Sequence, residues 1–165
     1  RVCNDTIHAV HGKGRGYFKR AVRWLLEAKK RGFDALVLLI DQDGERERNK
    51  QIAGAQDTSL SPLPRAMGVA IRTFDAWMLA DEKALTKVLG CTVAKQPDPE
   101  TIRHPKDVCA GLLANGHNEM AQNQMYERIA RQVDIDVLSS RCQRGFRPFA
   151  ERVRRVFGHG VRAEE

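Results

Sequence analysis

The chain has 165 residues, 42% hydrophobic and 30% charged, the size and balance of one globular domain, which excludes a disordered or fibrous protein. Its longest purely apolar run, residues 35–40, is far short of the ~20 residues a membrane span needs, and no charged-then-apolar leader opens the chain. Lys plus Arg outnumber Asp plus Glu by 28 to 21, for a net charge of +7, and the cysteines (Cys3, Cys91, Cys109, Cys142) are too scattered for a zinc ribbon or disulfide scaffold, so a reduced, cytoplasmic setting is expected.

Thr6-Ile7-His8-Ala9-Val10 reads as a short strand, followed by the glycine-rich Gly12-Lys13-Gly14-Arg15-Gly16. Lys13 and Arg15 among glycines suit the approach of a phosphate to bare backbone amides and cations, although a plain strand-to-helix connection uses the same residues. His8 and His11 match no metal pattern without partners. Phe18, Ala21, Val22, Leu25 and Leu26 recur at helical spacing with Lys19, Arg20 and Arg23 opposite, which predicts an amphipathic helix over 17–30.

Residues 35–40 form the continuous apolar run of a strand buried on both faces, as in a parallel sheet. Asp41-Gln42-Asp43-Gly44 then turns the chain into a charged, helical segment over 45–56, and a proline-bearing loop covers 59–64. A second buried strand is expected over 67–71. Thr73 is placed to cap a helix over 74–89, which carries Phe74, Trp77, Met78, Leu85, Val88 and Leu89 and ends at Gly90. At that spacing Trp77 and Met78 read as core rather than as a base-stacking surface. After a loop over 95–99 the pattern is helical, over 105–115, 119–132 and 146–157. The alternation predicts an α/β fold, a parallel sheet flanked by helices over 1–95 with a helical C-terminal extension over 96–165 packed on the same domain.

Positive charge is concentrated in two blocks. Residues 11–31 hold eight Lys and Arg against Glu27 alone, and residues 141–162 hold seven Arg against Glu151 alone. Such blocks suit a polyanion, nucleic acid above all, with Lys13, Arg15, Lys19, Arg20, Arg23, Arg152 and Arg155 as the candidate contacts; solvated helix faces are the plain alternative.

Ligands of open parallel sheets gather beyond the carboxyl ends of the strands. Asp41 and Asp43 follow one strand and Asp75 the other, so parallel neighbours would bring three carboxylates to one edge. Their repulsion calls for a cation, and oxygen donors suit Mg²⁺ or Mn²⁺. The competing reading has Asp41 and Asp43 capping the next helix. Haloacid-dehalogenase phosphatases also place Asp-x-Asp-Gly after an apolar strand and would make Asp41 a nucleophile, but their motif usually continues with Thr and lies on the first strand. Glycosyltransferases share Asp-x-Asp, in longer chains, and the P-loop pattern is absent. Lys106, in His104-Pro105-Lys106-Asp107, is the best cation for a scissile phosphate, with a solvated first-turn lysine as its alternative; His104 reads as a turn residue.

Leu38-Leu39-Ile40-Asp41-Gln42-Asp43, then Ile71-Arg72-Thr73-Phe74-Asp75-Ala76-Trp77-Met78-Leu79-Ala80-Asp81, then His104-Pro105-Lys106-Asp107 resemble a bacterial family of unknown function with a Toprim-like fold. Toprim domains occur in topoisomerases, primases and overcoming-lysogenization-defect nucleases, and bind Mg²⁺ through a first-strand Glu and a later Asp-x-Asp. The resemblance implies that Asp41 and Asp43 are metal carboxylates and that Asp75 stands where the family usually has Glu. It also implies a Glu-bearing strand upstream of Thr6, so that the chain is expected to be N-terminally truncated. The expected function is divalent-metal-dependent phosphodiester hydrolysis of DNA or RNA with Asp41, Asp43, Asp75 and Lys106 as its chemistry. The resemblance places it in bacterial defence or genome maintenance, beside an ATPase partner. A non-catalytic nucleic-acid or protein-interaction module is the alternative, and a haloacid-dehalogenase-type phosphatase the third reading.

Overall fold

In the computed structural model residues 16–158 are described. The strand expected over 6–10, the candidate contacts Lys13 and Arg15, and Cys3, His8 and His11 lie outside the described residues.

Helix α1 (Tyr17–Lys30) buries Ala21, Val22, Leu25 and Ala28 along one stripe, and ends where Gly32 takes a φ of +74°. Strands β1 (Leu36–Asp41) and β2 (Arg65–Ala70) are parallel neighbours, in register from Leu36 opposite Arg65 to Asp41 opposite Ala70. Side chains alternate across a strand, so each strand serves two layers. Leu36, Leu38 and Ile40 of β1, with Met67 and Val69 of β2, face a core shared with α1 and with α2 (Glu47–Gln56). Leu39 and Ala70 face the opposite core, built around Trp77. The α/β class and the helical C-terminal part are therefore as expected.

The second layer is helical: α3 (Asp75–Met78), α4 (Glu82–Leu89), a 3₁₀ turn (Pro99–Thr101), α5 (Pro105–Asn115), α6 (Gln122–Ala130), α7 (Ile135–Arg141) and α8 (Phe146–Phe157). Helix α8 lies against β2 so closely that a Cβ on Gly68 would sit 2.5 Å from Cδ2 of Phe149. No helix among the described residues is long and apolar enough to cross a membrane.

Three expectations need correction. The single helix over 74–89 is two, because the buried Asp81 accepts hydrogen bonds from the Lys83 and Ala84 N–H groups and caps α4 instead of continuing α3. Thr73 caps nothing: its Oγ1 is buried without a partner among the described residues. The strand over 35–40 is not buried on both faces either, since Val37 is 48% exposed. Among the described residues β1 has only β2 beside it.

The far edge of β2 is closed, and by side chains. Gln56 Nε2 donates to the Arg65 carbonyl while its Oε1 accepts from Met67 N–H, the two bonds a neighbouring parallel strand would make. Arg152 donates to the Met67 carbonyl at 2.7 Å, and a Cβ on Gly145 would lie 2.9 Å from the Val69 carbonyl oxygen.

Candidate functional site

The parallel pairing puts the ends of β1 and β2 side by side, and the acidic residues follow from it. Asp41 is the last residue of β1; its Oδ1 accepts a hydrogen bond from Phe74 N–H at 2.7 Å, across the chain's exit from β2. Beyond it the chain turns through two consecutive left-handed residues, Asp43 (φ +48°) and Gly44 (φ +80°), which lifts the Asp43 carboxylate into solvent. Gly44 supplies that conformation without strain. Asp75 opens α3, and its Oδ1 accepts from the Tyr126 hydroxyl of α6, while its carbonyl accepts from the Cys109 thiol of α5 at 3.6 Å.

Burial pushes the Asp41 carboxyl above the ordinary carboxylate value, and the charges of Asp43 and Asp75 push it further; the Phe74 N–H and Arg48 pull the other way. Asp43 and Asp75 are therefore each within electrostatic reach of Asp41. Neither Asp41 nor Asp43 caps α2, whose N-cap is Arg46 with no side-chain hydrogen bond, and the capping alternative is thereby removed.

Sequence reasoning missed Arg48. Its Nη1 donates to the Asp41 carbonyl at 2.7 Å and to the Asp43 carboxylate, and its guanidinium lies over the Tyr17 ring, 4.6 Å from the centroid. The only signal was its place on the first turn of the helix that follows Asp-x-Asp-Gly. Tyr126 was missed as well, because the contact with Asp75 spans 51 residues of sequence.

Among the described residues no group of three or more His, Cys, Asp and Glu side chains is gathered so as to hold a metal ion. That argues against a closed, all-protein cage. Mg²⁺ asks for less, since it is commonly held by one or two carboxylates and completes its shell with water and substrate phosphate. Asp41 and Asp43 fit that requirement by donor chemistry, hard oxygens under mutual repulsion; Asp75 is engaged by Tyr126.

Lys106 is exposed on the first turn of α5, three residues before Cys109, and makes no ion pair among the described residues; His104 is the exposed N-cap of that helix. Among the described residues, the helices that carry the two basic blocks lie on opposite faces of the sheet. Helix α1 lies on the face of the sheet that carries Met67 and Val69, whereas α8 lies on the face that carries Gly68. Their cations also differ in commitment. On α8 and just before it, Arg141 pairs with Glu82, Arg144 with Asp98 and Glu100, Arg147 with Glu151, and Arg152 is held by the β2 backbone. Arg155 is exposed on α8. On α1, Lys19 and Arg23 are exposed and make no ion pair among the described residues, and Arg20 rests over the Tyr17 ring at 5.2 Å. Cys109 and Cys142 are buried free thiols, each pushed up to about 12 by that burial, which makes them packing residues rather than nucleophiles.

A carboxyl held above its ordinary value costs stability at pH values where both folded and unfolded chains would ionise it, and costs nothing below its ordinary 3.8, where both are protonated. Asp41→Asn keeps an oxygen for the Phe74 N–H. The substitution is therefore expected to raise the melting temperature at neutral pH and to lose that advantage well below 3.8. Melts across that range check it, and a gain independent of pH would contradict the electrostatic origin.

A family model described as a domain of unknown function, DUF4276, matches residues 5–154. No curated protein and no solved structure gives a significant match.

Proposed function

The chain belongs to the DUF4276 family, a domain of unknown function, and from that premise we propose that it is a Toprim-like phosphodiesterase dependent on Mg²⁺ or Mn²⁺ and acting on nucleic acid. The observation that carries this reading is Asp41, half-buried at the joint carboxyl end of two parallel strands with its carboxyl pushed up by burial and by Asp43 and Asp75. Asp41 and Asp43 would hold the metal. When bound, that ion supplies an acidified water and neutralises charge on the phosphate.

The chain's own residues do the rest. Tyr126 donates to the Asp75 carboxylate and so fixes it at the start of α3. Lys19, Arg20 and Arg23 present an exposed cationic face for a sugar-phosphate backbone, which such contacts grip without reading sequence. Lys106 is assigned the charge developing on the scissile phosphate. A setting in bacterial defence or genome maintenance, beside an ATPase partner, rests on the resemblance to Toprim proteins alone.

A second reading, a non-catalytic interaction module, is favoured by one observation: protein donors already hold Asp43 and Asp75, through Arg48 and Tyr126. Calorimetric titration of Mn²⁺ and Mg²⁺ into the native chain and into Asp41→Asn/Asp43→Asn separates the two. Binding lost in the double variant, together with metal-dependent cleavage of a DNA or RNA probe, is the expected result. A native chain that binds neither ion would give precedence to the interaction module.

A further inference from the structure

We propose that Arg48 is a tethered cation that competes with the divalent metal for the acidic edge, so that the ion enters by displacing its guanidinium. This rests on the reading of Asp41 and Asp43 as metal carboxylates. A single nitrogen, Nη1, meets both the carbonyl of Asp41 and the carboxylate of Asp43, so the guanidinium stands between the two residues assigned to the metal.

Its placement is built rather than incidental. The Arg48 side chain is only 16% exposed although the Asp43 side chain it pairs with is 53% exposed. An ordinary surface pair leaves both long side chains in water and contributes little. Here one face of the guanidinium rests on the Tyr17 ring, and Tyr17 is itself fixed to α2, because its N–H donates to Gln51 Oε1. The starts of α1 and α2 thus form a shelf that holds the positive charge at the edge. The ring contact is independent of Asp43, so a guanidinium that gives up the carboxylate keeps a resting place.

A fixed cation at a few ångströms disfavours a second one at the same carboxylates, and the effect is reciprocal: whatever draws Arg48 away strengthens the metal's hold. A substrate phosphate is a ligand of the right charge to do so, since the guanidinium fork matches phosphate oxygens. Metal loading and phosphate binding are then coupled through one side chain.

The test is Mn²⁺ titration by calorimetry of the native chain, Arg48→Gln and Asp41→Asn/Asp43→Asn, with circular dichroism confirming that each is folded. Gln keeps a donor for the Asp41 carbonyl and removes the charge. Arg48→Gln is expected to bind Mn²⁺ on the order of tenfold more tightly than the native chain. Equal or weaker binding by folded Arg48→Gln, with the native chain binding, overturns the competition and leaves the metal reading standing. Absence of binding in both overturns the metal reading and the inference with it. If Arg48→Gln does not fold, Arg48→Lys decides: its more hydrated, single-point charge competes less well, and unchanged or weaker Mn²⁺ affinity overturns the proposal.

Discussion

Glu100→Ala is expected to lower the unfolding free energy by about 3–5 kcal/mol, since several donors lose their acceptor and each buried donor left unsatisfied costs about 1–3 kcal/mol. Glu100 is 2% exposed, and its carboxylate accepts hydrogen bonds from the N–H groups of Arg144 and Gly145 at 2.8 Å, from Phe146 N–H at 3.4 Å and from Trp77 Nε1 at 3.3 Å. Three of those donors follow one another at the entry to α8: Phe146 is its first residue, Gly145 is its N-cap, with no side chain to offer, and Arg144 is the residue before. The carboxylate therefore pins the entry to α8, and adds an anion at the positive end of the helix dipole. Truncation leaves four donors without an acceptor inside the protein. Glu100→Gln keeps one oxygen but turns an NH₂ group toward N–H donors, so it should fall between Ala and native. Urea unfolding followed by circular dichroism reads both, and a loss below about 1 kcal/mol for Ala, the worth of one ordinary hydrogen bond, would sink this account.

The second large effect lies one contact away. Trp77→Ala should cost about 3–5 kcal/mol, as large-to-small changes of buried aromatics do. Trp77 is 2% exposed; it meets Phe146 edge-on with centroids 5.1 Å apart and Phe74 at 5.9 Å, and stacks on Phe149 at 6.0 Å. It is thus the block on which α3, carrying Asp75, and α8 both rest. Because Trp77 also donates to Glu100, the Trp77→Ala/Glu100→Ala double variant should cost less than the sum of the singles. Full additivity in urea melts would mean that the two sites act independently.

Both residues show where sequence reading succeeds and where it stops. Trp77 was legible as core because Phe74, Leu85 and Val88 recur with it at helical spacing, a local signal. The bounds of α1, α5 and α8 came out as 17–30, 105–115 and 146–157 for the same reason, each helix having a clear start and stop. Glu100 was invisible, since its partners lie 23 and 44–46 residues away and one acidic residue after a loop carries no mark of burial. Helix α7 was missed although Asp134 accepts from Asp136 and Val137 N–H groups, the same cap that starts α4 at Asp81; in both cases Asp read as one more charged residue rather than as punctuation. At the acidic edge, Asp41 and Asp43 followed from the apolar strand before them. Arg48 did not, because a basic residue on a charged helix looks like solvated surface until the turn at Asp43 and Gly44 folds it back.

The amide of Gln56, standing in for a strand along β2, gives the sheet a direction. One border is sealed by a side chain that already occupies the pairing positions, with Arg152 and Gly145 continuing the seal, while along β1 no second strand lies among the described residues. Among the described residues, a further strand could pair only along β1. A parallel newcomer on that side would finish next to Asp41, so the width of the sheet and the composition of its acidic corner are tied: each change to the first alters the second.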